Sequence, residues 1–366
     1  NRIVKIFMKQ LRAFKYAFVL TGVAAGLISI LGPGIWSYCL PIYAFGLIPL
    51  LELLIKPDPH NIEGAEMEMV KQDRVYDFLL YMIVPVQVGM IVLLGWKLSQ
   101  PGLAVAEIVG KIWATGIGCG VLGINVAHEL GHRSTWYEQW MAKILLLTSL
   151  YMHFFIEHNR GHHKHVSTPE DPASARRGEW LFTFWFRSVW GSYWSAWEIE
   201  NKRVQKLGKP ILSLSNEMVV YHLLQSAALA AIAFAFGWQV MLYFVAAAVS
   251  GFLLLETVNY IEHYGLQRKK MGNGSYESVL PEHSWNSDHL FGRLLLFELS
   301  RHSDHHYRSG RKYQTLRHMA GSPQMPTGYP GMLVLAVFPP LWFWVMHREI
   351  DRYSKGDVNA SQLANA

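Results

Sequence analysis

The residues best equipped for chemistry in this chain are its histidines. Of 17 in all, nine fall into four tight groups: His128-Glu-Leu-Gly-His132, His158-Asn-Arg-Gly-His162-His163, Glu262-His263-Tyr and His302-Ser-Asp-His305-His306. Imidazole is a common metal ligand, and helical spacing explains how these groups can use it. Residues four apart share one face of a helix, so His128 with His132, and His158 with His162, can each reach a single ion. His302 has the same relation to His306 and a three-residue relation to His305. Neighbours on a helix point about 100° apart. The adjacent pairs His162-His163 and His305-His306 can therefore each send one ring to one ion and one to a second. Nine imidazoles are too many for one ion and suit two. Glu129, Glu157, Glu262 and Asp304 are candidates to accept from the imidazole N–H groups, which would fix tautomer and ring orientation.

The first group also matches the pattern HExxH of zinc proteases, with Glu129 as general base. That site needs three protein ligands and an open position, and it leaves the other three groups without a task. Ligand type alone does not choose among zinc, copper, iron and nickel. The two cysteines, Cys39 and Cys119, lie in apolar runs and form no CxxC pair. No iron–sulfur or rubredoxin-like centre is therefore expected from this sequence.

Composition sets the stage for these groups. Half of the 366 residues are apolar (51%), only 16% are charged, and 14 Trp, 17 Tyr and 18 Phe make the chain aromatic-rich. Several apolar runs approach the ~20 residues a helix needs to cross a bilayer. They fall at 16–31, 35–55, 78–98, 108–127, 219–236 and 239–260. The expected fold is an all-α membrane protein, a single catalytic domain with about six transmembrane helices. Three tight connections share one nearly chargeless side, among them Gly32-Pro33-Gly34 and Gly237-Trp238. The other side receives the basic start (Arg2, Lys5, Lys9, Arg12, Lys15), the 56–77 loop and both long stretches that carry histidines. Positive-inside logic puts that side in the cytoplasm, where a helical cap would hold the dinuclear site. The net charge of +6 is spread among acids and leaves no nucleic-acid footprint. No cleavable signal peptide is evident. The run 140–155 is flanked by histidine groups at both ends, so it is expected to return to its own side as a re-entrant or interfacial helix. Pro339-Pro340 should break the run 331–346, and a flexible tail is expected from about residue 351.

The groups HELGH, EHNRGHH (157–163), NYIEHYG (259–265) and LSRHSDHH (299–306) together resemble the integral-membrane alkane 1-monooxygenases, the ω-hydroxylases. The His boxes are shared by the wider membrane desaturase and hydroxylase superfamily, whereas NYIEHYG is narrower. TPEDPASAR (168–176), HSWNSDH (283–289) and PTGYPG (326–331) add to the likeness, which covers about residues 40–345. The resemblance implies a non-haem di-iron centre on His128, His132, His158, His162, His163, His263, His302, His305 and His306. It implies insertion of one atom of O2 into the terminal C–H bond of a medium-chain n-alkane, in the cell inner membrane. It also implies electrons from rubredoxin, itself fed by an NADH-dependent reductase. Xylene-type and fatty-acyl hydroxylases or desaturases are the nearest alternatives; a metal transporter would need more polar spans.

An alkane has no polar handle, so a greasy channel between helices must select the carbon by shape. Candidates to line it are Leu47, Met90, Ile117, Leu122, Leu255 and Val258. Glu256, an intramembrane carboxylate, is a functional candidate by its depth alone. A basic patch of Arg160, Lys164, Arg176, Arg177, Arg301, Arg308, Arg311 and Lys312 would speed the encounter with an acidic electron carrier. His153, His165, His283, His289 and His318 have no assigned part.

Overall fold

The protein is seen here as a computed structural model in which residues 12–356 are described, so Arg2, Lys5, Lys9 and the end of the expected tail lie outside them. Among the described residues the architecture is helical, with no strand. α1 (Arg12–Leu31) and α2 (Gly34–Leu54) form a hairpin, and a short α3 (Gly64–Gln72) leads to a second hairpin, α4 (Arg74–Leu98) and α5 (Val105–Gly131). Three helices follow: α6 (Trp136–Leu147), α7 (154–165) and α8 (Leu181–Lys206). A third hairpin joins α9 (Glu217–Phe236) to α10 (Trp238–His263). Shorter helices close the chain: α11 (Leu290–Leu295), α12 (His302–Tyr307), α13 (Tyr329–Ala336) and α14 (Pro339–Ser354). Six of these, α1, α2, α4, α5, α9 and α10, are long and apolar enough to cross a membrane.

Local chemistry explains the ends. Asp73 and Asn216 cap α4 and α9, each accepting a bond from a backbone N–H two residues on. Gly237 takes φ 93° between α9 and α10, a conformation open to glycine at little cost. At the α1–α2 turn the fully buried Lys111 of α5 donates to the carbonyls of Ser29 (3.2 Å) and Gly32 (2.6 Å). Glu107, one turn earlier, accepts from the Gly34 N–H. The charges in this span thus satisfy backbone groups that hydrocarbon could not.

The bundle is tightest where α5 crosses α10. A Cβ built on Gly116 would lie 2.6 Å from the Ser250 Cβ, and one on Gly251 2.6 Å from the Cys119 Cβ. Small residues let the two backbones approach. The C-terminal ends of these two helices carry the first and third histidine groups. α5 is longer than the apolar run predicts and continues to Gly131, so His128 and Glu129 sit on the helix itself.

The run 140–155 is two helices. α6 ends at Leu147, Leu150 turns back with φ 52°, and α7 begins at Phe154. Neither is long enough to span. The run 331–346 breaks at Val337-Phe338, after which Pro339-Pro340 open α14, a position proline tolerates. Helix α14 runs on to Ser354, and Asp351 pairs with Arg177 at 2.8 Å. The first residues of the expected tail are therefore helical.

α8 does not stand out in the sequence as an apolar run, because its apolar residues are spread around charges. Its inner face, with Phe184, Ser188, Ser192 and Ala196, is buried, and Trp185 Nε1 donates to Thr257 Oγ1 of α10 at 3.1 Å. Its outer face carries Phe182, Phe186, Trp190 and Trp194, spaced four apart, with Phe186 81% and Trp190 68% exposed.

The approach to α12 is held by buried charge. Phe297 and Glu298 both take left-handed backbone, φ 48° and 59°. Glu298 accepts from Tyr16 Oη (2.6 Å) and from Arg293 Nε (2.6 Å), so this turn is pinned to α1 and α11. Arg301 bonds Asp288 and the carbonyls of Leu316 and His60. His302 starts its helix immediately after this clamp.

Candidate metal centre

The nine histidines converge from four helices, α5, α7, α10 and α12, and they divide into two sets. His128, His132, His158, His163 and His305 each bring a ring nitrogen within 4.8 Å of the others, and so do His162, His263, His302 and His306. Most are buried; His132 and His163 are half-buried. The adjacent pairs split as their spacing requires, His163 and His305 to the first set, His162 and His306 to the second. His128 with His132, and His302 with His306, keep the four-residue relation.

One pairing differs from the sequence expectation. His158 stands with His163, not with His162, because residues His158–His162 form a turn of π-helix. A π turn bonds i to i+5, which brings the fifth residue onto the face that the fourth holds in an α-helix. Two further π turns occur, Tyr43–Leu47 in α2 and Cys119–Ile124 in α5.

The ring nitrogens are arranged for a cation. His158 Nε2 lies 3.2 Å from His132 Nε2 and 3.0 Å from His163 Nε2, and His128 Nε2 lies 2.9 Å from His305 Nε2. In the second set His162 Nε2 is 3.2 Å from His306 Nε2, and His302 Nε2 is 3.2 Å from His263 Nε2. A neutral imidazole has one donor and one acceptor nitrogen. So many Nε2 atoms facing one another cannot all be satisfied by mutual hydrogen bonds, whereas a central ion takes every lone pair. Burial, and then the neighbouring rings, hold His158, His163, His302, His305 and His306 well below the usual imidazole range, and burial pushes His132 down to about 4. These rings are neutral at pH 7, the form that binds metal.

His162 is the exception. Burial alone would depress it, but the Asp171 carboxylate, 2.9 Å from Nδ1, raises it to about 8. Asp171 is itself fixed by Ser174 Oγ and the Ala173 N–H. Sequence reasoning passed over this residue, although TPEDPASAR contains it; its distance of nine residues from His162 hides the contact.

The four acids foreseen as partners separate. Glu262 reaches the site, its Oε2 lying 3.1 Å from His302 Nε2 while Oε1 accepts from Tyr329 Oη. Glu129 instead accepts from Arg133 and from the Tyr313 N–H. Asp304 bonds Arg311 and Arg317, and Glu157 accepts from Ser195. These three tie the surrounding segments together. Glu256 is buried and accepts from Tyr151 Oη (2.7 Å), Ser188 Oγ (2.5 Å) and Asn259 Nδ2 (3.3 Å), which joins α8 to α10. His165, His283 and His318 pair with Glu170, Glu277 and Asp288, His289 meets Ser287, and His153 lies against Tyr151.

An apolar chamber backs onto the rings. Its wall includes His128, His158 and His302 together with Leu255, Val258, Leu296 and Leu299, and its polar members are Asn125, Asn259 and Glu262. Leu255 and Val258 thus stand where the channel reading puts them. Ile117 and Leu122 line a neighbouring apolar cavity, while Leu47 is exposed and Met90 packs at Gly26 in the bundle core. Of the basic patch, Arg160, Lys164, Arg176, Arg177 and Arg308 are exposed. Arg301 is buried, and Arg311 and Lys312 are held by Asp304 and Asp77.

The family model described as fatty acid desaturase matches residues 106–347, which contain the helical segments bearing all nine histidines. The likeness narrows further within that family. An alkane 1-monooxygenase of Pseudomonas aeruginosa is 42% identical over 329 residues, 89% of this chain and 87% of that protein. One from Alcanivorax borkumensis is 39% identical over 337 residues, 92% of this chain and 83% of that protein. The xylene/toluene monooxygenase hydroxylase component of Pseudomonas putida is 26% identical over 336 residues, covering 90% and 86%. The chain belongs to the alkane 1-monooxygenase family.

Proposed function

We propose that this chain acts as one membrane-embedded catalytic unit that hydroxylates the terminal methyl of medium-chain n-alkanes to primary alcohols, with O2 and electrons from rubredoxin. The observation that carries the reading is the apolar chamber with histidines in its wall. The five-ring and four-ring sets would each hold one non-haem iron. Bound there, the irons would supply the O2-activating redox chemistry, which no side chain provides.

The chain's own residues do the rest. Leu255, Val258, Leu296 and Leu299 exclude water and hold an alkane end-on, so that its terminal carbon is the one nearest the rings. Asp171 fixes the orientation of the His162 ring. Lys164 and Arg176, exposed on the histidine-bearing side, attract an acidic carrier such as rubredoxin, which takes its electrons from an NADH-dependent reductase. The distribution of Lys and Arg supports a cytoplasmic site and an inner-membrane location.

Elemental mass spectrometry on detergent-purified protein tests the metals, with two irons per chain expected. Reduced rubredoxin and octane should then give 1-octanol. A single zinc per chain, or no alkanol from an iron-loaded preparation, overturns the reading. A methyl on an aromatic ring is a second substrate class, supported by the xylene-type relative; turnover of xylene faster than octane would establish it.

A further inference from the structure

Apart from the rings themselves, the chamber beside the metal centre has three polar side chains in its wall, Asn125, Asn259 and Glu262. Two of them are committed elsewhere. Asn259 Nδ2 donates to Glu256 Oε2 at 3.3 Å, and Glu262 accepts from Tyr329 Oη and lies against His302. Asn125 differs. Its side chain is buried, and its Nδ2 has no hydrogen-bond partner among the described residues. A donor left in that state costs free energy that an apolar side chain of the same size would not. The helix explains where this amide stands. Asn125 opens the α-helical turn that follows the π turn Cys119–Ile124 of α5, and it precedes His128 by three residues. Residues three apart share a face, so Asn125 lies on the His128 side of the helix, about 4.5 Å nearer the middle of the span. Leu255 and Val258 of α10 line the same chamber.

We infer that Asn125 is the hydroxyl site of this chamber: its carboxamide binds the oxygen of a primary alcohol whose carbon chain lies among the apolar residues. The inference rests on the alkane reading above and deepens it. An alkane offers an amide nothing. The alcohol formed from it carries one O–H donor and two lone pairs on its terminal carbon. A carboxamide has both a donor and an acceptor, so it can meet both needs of the hydroxyl. Without such a partner the new hydroxyl would be stripped of water against Leu255, Val258, Leu296 and Leu299, which is costly. Placed one turn from His128, the amide stands beside the carbon that the rings face. The chamber therefore binds the alcohol more tightly than the alkane of equal length, and Asn125 supplies the preference.

Binding of radiolabelled 1-octanol and of octane to the iron-loaded protein in lipid nanodiscs tests this, with empty nanodiscs as the baseline and octane turnover alongside. Asn125→Leu removes the amide and keeps its bulk. It should lower 1-octanol affinity about tenfold, with octane affinity kept within about twofold and iron per chain retained. In turnover, added 1-octanol should inhibit that variant about tenfold more weakly than the unmodified chain. Asn125→Ser keeps a shorter donor and acceptor, and its 1-octanol-to-octane ratio should fall between the two. That ratio also decides the matter if Asn125→Leu loses its iron. Equal losses of affinity for octane and 1-octanol would make Asn125 a packing residue and overturn the site, as would an unchanged ratio in the variants. A preference for 1-octanol that the variants lose, without any alkanol from the unmodified chain, supports the hydroxyl site and sinks the alkane reading instead.

Discussion

At the scale of single residues, Asp171 decides how the second histidine set behaves. Its carboxylate orients His162 and holds a proton on it, whereas burial keeps His132 and its neighbours neutral. Outer partners of this kind are worth roughly 10–100-fold in metal affinity. Asp171→Asn is therefore expected to weaken the four-ring set by about that factor and leave the five-ring set loaded, as read by chelator competition. The pH dependence has a definite sign. In the metal-free chain His162 is protonated below about 8 and must lose that proton to bind. Affinity of the four-ring set should fall by up to about tenfold per unit as pH drops below that value. In the five-ring set burial pushes His132 down to about 4 and holds His158, His163 and His305 well below the usual imidazole range, so it should stay loaded into the acid range. Metal retained against pH at fixed chelator should show two steps, and the upper one should vanish in Asp171→Asn. A single step in the unmodified chain would contradict the assignment.

At the scale of elements, what the sequence made legible was periodicity, and what it concealed was departure from it. Apolar run length marks the long helices, and three- and four-residue spacing marks the histidine faces. The π turn at His158–His162 leaves no mark in the sequence, so spacing alone pairs His158 with the wrong partner. The same device recurs at Tyr43–Leu47 and Cys119–Ile124, and residues of both turns line one apolar cavity between the helices. π turns of this kind are found at functional sites. Helix α8 was illegible for another reason: its apolar residues are a stripe, which a run-length reading averages away. That stripe, Phe182, Phe186, Trp190 and Trp194, lies beside the histidine-bearing end of α10, where a headgroup layer would meet it. Lipids brominated near the headgroup are expected to quench Trp190 and Trp194. In a Trp190→Phe, Trp194→Phe variant that quenched fraction should be lost; equal quenching in both proteins would place the stripe off the membrane.

At the scale of the molecule, the centre depends on one close crossing. α5 carries His128 and α10 carries His263, one ring for each set, and the Gly116–Gly251 contact brings the two helices together. The crossing lies about 12 residues before each histidine, roughly 18 Å along either helix, so a small change of angle there is amplified at the rings. The sequence shows the glycines but not that they face each other, since that is a tertiary fact with no local signal. Overpacking of a tight contact costs about 1–3 kcal/mol, and here the geometry of the centre adds to the loss. Gly251→Val is expected to lower thermal stability in detergent and to reduce metal in both sets together, because it parts the helices that feed them. Gly251→Ala should do the same more weakly, since its Cβ already meets the Cys119 side chain and the Gly116 carbonyl. Asp171→Asn acts at one ring and should empty one set, so metal counts on the two variants separate a ligand effect from a scaffold effect. Full metal loading in Gly251→Val would show that the crossing does not set the centre, and that the cap helices α7 and α12 hold it alone.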